Sequence, residues 1–222
     1  MKFLNYEVYN GQKNMQIDSD ILDECVNLNV QEPVFRLYGW SPSCISLGRN
    51  QKDDFVDYEL LKTFRIDCVR RLTGGRALFH DKELTYSCVF PAARLHNGGN
   101  VTESYKEISG IWIEIFNNLG INLTLGGLER HITKDNYCMS VSTGADLCFN
   151  GKKFIGSAQC RKNGYILQHG SILLDYDKNL INKIFNENTD FSSIVTLKQI
   201  NPYLKINDII CAVESYIIKT VY

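Results

Sequence analysis

Residues 145–176 read ADLCFNGKKFIGSAQCRKNGYILQHGSILLDY, and the fold follows from how this stretch divides. ADLCFNG (145–151), KKFIGSAQCR (152–161) and YILQHGSILLDY (165–176) carry the β-branched and aromatic content that a pleated sheet favours. Asn150-Gly151 between the first two is a two-residue hairpin signal, because both positions tolerate positive φ. Further strand-like runs lie upstream at 33–40, 43–49, 66–72, 77–80, 83–90 and 122–125. Helical periodicity is clearest over 104–119, where Ile108, Ile111, Trp112, Ile115, Phe116 and Leu119 share one face. There Ser104 with Glu107 fits a capping box, and Gly120 fits the C′ position. Other helices are predicted over 15–28, 58–64 and 207–219. Groups of strands interrupted by helices, without strict βαβ alternation, give an α+β fold with a mainly antiparallel or mixed sheet. No repeat or Pro/Ser-rich linker divides the chain, so 1–222 reads as a single domain.

The 222 residues are enough to bury roughly 70–75% of the unfolded surface without staples. Lysine plus arginine number 24 against 25 acidic residues, which gives no general electrostatic case for nucleic acid. No apolar run reaches the roughly 18 residues of a membrane span, and the first residues lack a signal peptide's apolar centre. A cytoplasmic protein is the expectation. The 8 cysteines include no C-x-x-C pair, which argues against a zinc site and against a disulfide framework. Most lie in strand-like runs, where a cysteine is a small buried hydrophobe. Cys138 differs: its surroundings, DNYCMSVSTGAD, are polar and small.

Three segments break the pattern of an ordinary core. In Arg70-Arg71-Leu72-Thr73-Gly74-Gly75-Arg76-Ala77-Leu78-Phe79-His80, a strand turns through two glycines and restarts toward a histidine. Adjacent glycines let backbone approach a ligand and offer N–H donors to an anion or carbonyl. In Lys152-Lys153-Phe154-Ile155-Gly156-Ser157-Ala158-Gln159, strand alternation sends one lysine inward. A buried ammonium is expensive unless it meets an anion or a developing charge. The small Gly156-Ser157-Ala158 run leaves room beside it for a slender chain. In Gln168-His169-Gly170-Ser171, polar groups interrupt an apolar strand and need partners.

RRLTGGRALFHDKELTYS, GKKFIGSAQ and QHGSILL, in this order and separation, closely resemble the biotin/lipoate protein ligase and transferase superfamily. NMQIDSDILDE and SCISLGRNQ resemble its N-terminal pattern. The resemblance implies that fold's catalytic domain, with the Gly-Gly turn and the GKK strand lining a pocket for a short fatty acyl or lipoyl chain. It makes Arg70, Gly74, Gly75, Arg76, His80, Gly156, Ser157, Ala158, His169 and Gly170 the expected substrate-binding residues. Gly74-Gly75-Arg76-Ala77, Ser157-Ala158-Gln159 and 168–172 resemble the octanoyltransferase branch called LipM. That branch places a nucleophilic cysteine upstream of the GKK lysine, a count that lands on Cys138. Cys148 falls inside the strand and is expected to be packing.

What this branch implies is octanoyl transfer from acyl carrier protein, through a thioester on Cys138, to a lysine of a lipoyl carrier domain such as glycine cleavage H protein. Lys153 is implied as the group that favours the Cys138 thiolate. No cofactor or metal is implied, and ATP and magnesium enter only if the chain is instead a lipoate ligase. An amidotransferase moving octanoate between carrier proteins and a non-catalytic effector-binding domain are further alternatives. Many ligases carry an accessory domain, which this chain is expected to lack. His80 or His169 could move protons, and the sequence does not choose between them. The branch's Pro-Ser-aromatic pattern after the cysteine is absent here, so it cannot set that loop's conformation.

Overall fold

The computed structural model describes residues 1–127, 136–140, 144 and 146–221. In chain order the elements are β1 (Lys2–Tyr9), α1 (Gly11–Asn27), β2 (Val34–Trp40), β3 (Cys44–Leu47), α2 (Tyr58–Phe64) and β4 (Asp67–Arg70). Then come β5 (Leu78–His80), β6 (Glu83–Pro91), α3 (Val101–Asn118), β7 (Thr124–Leu125) and β8 (Leu147–Phe149). The last are β9 (Lys152–Lys162), β10 (Tyr165–Leu173), α4 (Lys178–Phe185), α5 (Leu197–Ile200) and α6 (Ile206–Val221). Among the described residues, one sheet runs β1-β2-β6-β10-β9-β8-β7 and a second runs β4-β3-β5. In the large sheet only β1 and β2 pair in parallel. The fold is α+β with a mixed sheet. None of its described helices is long and apolar enough to cross a membrane.

Asn150 and Gly151 both take positive φ at the β8–β9 turn, the conformation their side chains tolerate best. The central strands β2, β6 and β10 are buried along their whole length, because both faces of the sheet are covered. On one face Phe35, Tyr86, Phe154 and Ile172 pack against Trp112 and Phe116 of α3 and Ile209 and Val213 of α6. On the other, Leu22 and Cys25 of α1 meet Val34, Val89 and Leu167. Period-2 alternation puts Arg36, Thr85, Ser87, His169 and Ser171 on this second face. That polar half-face is where a pocket opens.

Local structure departs from the sequence reading in five places, one of them the unpredicted single turn α5 capped by Thr196. β1 was not anticipated; it is a half-exposed edge whose pairing register slips between Leu4 and Glu7, which scrambles its alternation. α1 begins at Gly11 because its first two turns bury Gly11, Asn14 and Asp18, so its inward stripe is polar where an apolar one was sought. α3 is capped by Asn100, whose side chain accepts from the Glu103 amide. Ser104 lies inside the first turn and Glu107 accepts from His96 N instead, so no capping box forms. α4 was also missed; Asp177 caps it, and eight residues are too few for a convincing period.

Trp112 is fully buried and its ring lies 4.7 Å from Tyr86 and 5.7 Å from Phe35, centroid to centroid. Trp112→Ala should cost about 3–5 kcal/mol in urea unfolding. Among the described residues the indole N–H has no hydrogen-bond partner. Trp112→Phe should therefore cost clearly less, since it deletes an unsatisfied donor along with the lost area.

Candidate active site

The pocket lies between the polar half-face of the large sheet and the small sheet, with about 450 Å³ of empty space counting its open mouth. Met15, Trp40, Leu78 and Met139 give it apolar walls, and Gly156, Ala158 and Gly170 leave it room. Cys138 reaches it from a 3-10 turn at Cys138–Ser140 and is partly exposed. The turn is anchored from its N-terminal side. Cys138 N donates to Ala77 O at 2.8 Å, and the buried Tyr137 ring lies 5.1 Å from that of Phe185. Glu187 accepts from both the backbone and side-chain amides of Asn136. Residues 141–143 and 145, where the family pattern departs, lie outside the described residues.

Of the two lysines, Lys152 is exposed and Lys153 is buried, at 2% exposure. The Lys153 ammonium pairs with Asp146 Oδ2 at 3.1 Å and donates to the carbonyl of Cys138 at 3.2 Å. Burial works against that charge, but the Asp146 carboxylate and the Cys138 sulfur outweigh it and hold the group above the ordinary lysine range. An ammonium is thus fixed beside the thiol. Cys148 is buried in β8, in register with Lys153, as packing.

The Gly-Gly turn is placed differently from expectation. Alternation along β4 exposes Arg70, whose Nη1 donates to the carbonyls of Gly48 (2.8 Å) and Gln51 (2.6 Å), away from the pocket. Its neighbour Arg71 is buried and lines the pocket. Gly74, Gly75 and Arg76 do not line it; Gly74 and Arg76 turn their carbonyls back to accept from Arg71 Nη2, each at 2.8 Å. The turn therefore holds Arg71 with its carbonyls. Gly75 needs its φ of +97°, and a Cβ there would meet Arg71 Nη2 at 2.9 Å. Burial pulls the Arg71 guanidinium down from its usual range, with the Cys138 sulfur and Tyr105 opposing.

His80, Gly156, Ser157, Ala158, His169 and Gly170 all line the pocket. His169 Nδ1 lies 3.4 Å from Asp18 Oδ2, and its Nε2 lies 2.6 Å from Thr73 Oγ1. Asp18 also accepts from Arg36, Tyr38 and Ser87 at 2.8–2.9 Å. Burial pushes the His169 imidazole below the usual histidine range, Asp18 opposes this, and Arg71 and His80 add to it. Burial would raise the Asp18 carboxyl, but His169, Arg36 and Ser87 hold it below its usual range. Met15, Trp40, Ser46, Arg71, Thr85 and Met139 were not singled out from sequence. Their signals were weak, since each reads as an ordinary core or strand residue, and Arg71 was separable from Arg70 only by strand parity.

Residues 10–216 match the model of the lipoyl protein ligase A/B catalytic domain. The chain belongs to that family. Its relatives put it on the octanoyltransferase side. It is 35% identical over 192 residues to octanoyltransferase LipM of Clostridioides difficile (strain 630), covering 85% of this chain and 70% of that one. It is 39% identical over 183 residues to octanoyltransferase LipM of Macrococcus caseolyticus, covering 79% and 66%. The fold is also that of lipoate-protein ligase A in a crystal structure bound with ATP, with a TM-score of 0.76 at 20% identity over 99% of this chain and 85% of that one.

Two expectations follow from the site. A Cβ at Gly156 would lie 3.0 Å from Lys153 Cε and from Met139 Sδ, so Gly156→Ala must displace the ammonium or the pocket wall. The variant should stay folded by circular dichroism while octanoyl transfer slows by about tenfold or more, the size of a lost charged contact near 1.4 kcal/mol. For His169, the depressed native pKa means that the unfolded chain binds its proton first, near pH 6.5. Stability should therefore fall as pH drops from about 7 to 5, and His169→Gln should flatten that slope in pH-dependent urea unfolding.

Proposed function

We propose that this chain moves an octanoyl group from acyl carrier protein, through a thioester on Cys138, to a lysine of a lipoyl carrier domain. The observation that carries this reading is the buried Lys153 ammonium, hydrogen-bonded to the Cys138 backbone beside an apolar pocket. The Cys138 thiolate attacks the donor thioester carbonyl, and the carrier protein leaves as its own thiolate. The acceptor amine then attacks the octanoyl-enzyme thioester, a C–N bond replaces the C–S bond, and Cys138 is released. Thioester exchange is close to isoenergetic and amide formation is downhill, so the cycle needs no ATP and no metal. Lys153 is placed to stabilise negative charge developing on the carbonyl oxygen during both attacks. The acyl tail gains about 0.8 kcal/mol for each CH₂ it buries against Met15, Trp40, Leu78 and Met139.

Cys138→Ala should lose transfer from octanoyl carrier protein almost entirely, while Cys148→Ala loses stability and keeps the chemistry. Wild-type protein mixed with octanoyl carrier protein without ATP should gain one octanoyl mass, mapped to the peptide holding Cys138. Full ATP-dependent lipoylation by Cys138→Ala would instead make the chain a ligase with a bystander thiol.

A further inference from the structure

Two imidazoles face the pocket, and each sits between a hydroxyl on Nε2 and a carboxylate on Nδ1. Arg71 joins the two arrays, its Nε donating to Thr73 Oγ1 at 3.1 Å and its Nη1 to Ser46 Oγ at 3.3 Å. They differ in where they end. The His169 array terminates in Thr73, which is fully buried and off the pocket wall, and in Asp18, which is already engaged by Arg36. The His80 array terminates in Ser46, which lines the pocket together with His80 and Cys138.

Donor-only groups at both ends fix the direction of every proton in the His80 array. Trp40 Nε1 can only donate, and it does so to Thr85 Oγ1 at 2.7 Å, so Thr85 gives its own proton to Glu83 Oε1. Glu83 Oε1 is thereby an acceptor, and it takes the Nδ1–H of His80 at 3.2 Å. This leaves Nε2 as a lone pair, 2.8 Å from Ser46 Oγ. Arg71 Nη1, again a donor only, occupies a lone pair of Ser46 Oγ and aims the serine proton at Nε2. Trp40 stacks on the imidazole at 3.9 Å and fixes its plane.

We infer that Ser46 and His80 form the catalytic proton relay of the second half-reaction, taking the proton that the acceptor amine must lose as the octanoyl thioester on Cys138 becomes an amide, with Glu83 as their positioning residue. The inference rests on the thioester reading of Cys138. Attack by a lysine amine leaves a surplus proton on nitrogen. That proton passes to Ser46 Oγ while the Ser46 proton passes to His80 Nε2; the C–S bond then breaks and Cys138 departs as a thiolate beside Lys153. The imidazolium, paired with Glu83, returns its proton to solvent after product leaves. Thioester exchange in the first half-reaction passes the acyl group between thiolates and needs no such relay.

The test separates the half-reactions. Octanoyl-enzyme is prepared from octanoyl carrier protein, freed of donor, and discharged with a lipoyl carrier domain or with hydroxylamine, an amine unprotonated at neutral pH. Ser46→Ala and His80→Gln should form the adduct at close to the wild-type rate, lose discharge to the carrier lysine by about a hundredfold or more, and keep discharge to hydroxylamine. Glu83→Gln should fall between. If His80→Gln does not fold, Ser46→Ala, which removes one oxygen from β3, decides alone. Discharge to the lysine at the wild-type rate overturns the relay, as does equal slowing with both nucleophiles, the signature of a structural role. A wild-type enzyme that never forms the adduct takes down the Cys138 reading and the relay with it, whereas a wild-type adduct with an unaffected Ser46→Ala variant takes down the relay alone.

Discussion

The ammonium of Lys153 is a charge that folding has taken out of water, at an effective cost of several kcal/mol before any compensation. Four separate parts of the chain meet to make that tolerable. Asp146, just before β8, supplies the counter-charge, and the Cys138 turn supplies a carbonyl. Gly156 leaves room for the side chain, and 193–195 holds its backbone, with Lys153 N donating to Ser193 O and Val195 N donating to Lys153 O. Remove Asp146 or the Cys138 carbonyl and the buried cation loses a partner. The Cys138 turn is thus tied to the sheet by the buried ammonium itself.

The remaining polar groups of the pocket obey the opposite rule, because they satisfy one another. All five N–H groups of Arg71 are directed at hydroxyls or backbone carbonyls of Ser46, Thr73, Gly74 and Arg76. Both imidazoles are bonded at both nitrogens. A ligand's acyl tail can therefore lie along the Met15, Leu78 and Met139 side of the pocket while the donors of Arg71 stay paired, without the usual penalty of an unsatisfied polar surface.

Much of this was legible in the sequence, and where it was not the cause is physical. The β8–β9 hairpin came from Asn150-Gly151, and the inward lysine from parity along a single strand, both strictly local signals. Arg70 against Arg71 was also a question of parity, but β4 is only four residues long and half-exposed, so no apolar alternation marked which side faced in. The Gly-Gly turn was harder to place, because two glycines look alike whether they open a path to a ligand or fold carbonyls around a neighbouring guanidinium. Asp18, Glu83 and Asp146 were invisible as site residues because a carboxylate's burial depends on partners many positions away. Glu83 and His80 are three apart, but Asp18 and His169 are separated by 151 positions.

The same reasoning explains how Cys138 keeps its place without the proline and aromatic that follow the cysteine in the family pattern. A catalytic thiol needs its backbone fixed, and any set of contacts that fixes it will serve. Here the fixing groups come before the cysteine and from afar: Ala77 on the strand after the Gly-Gly turn, Phe185 at the end of α4 and Glu187 just beyond it. Tyr137 supplies the aromatic anchor from the other side of the nucleophile. The burial of Tyr137 against Phe185 takes over the apolar anchoring, and two bonds from Asn136 to Glu187 orient the backbone entering the turn. The position of the Cys138 turn is therefore set by the packed fold, through residues distant in sequence, as well as by its immediate neighbours.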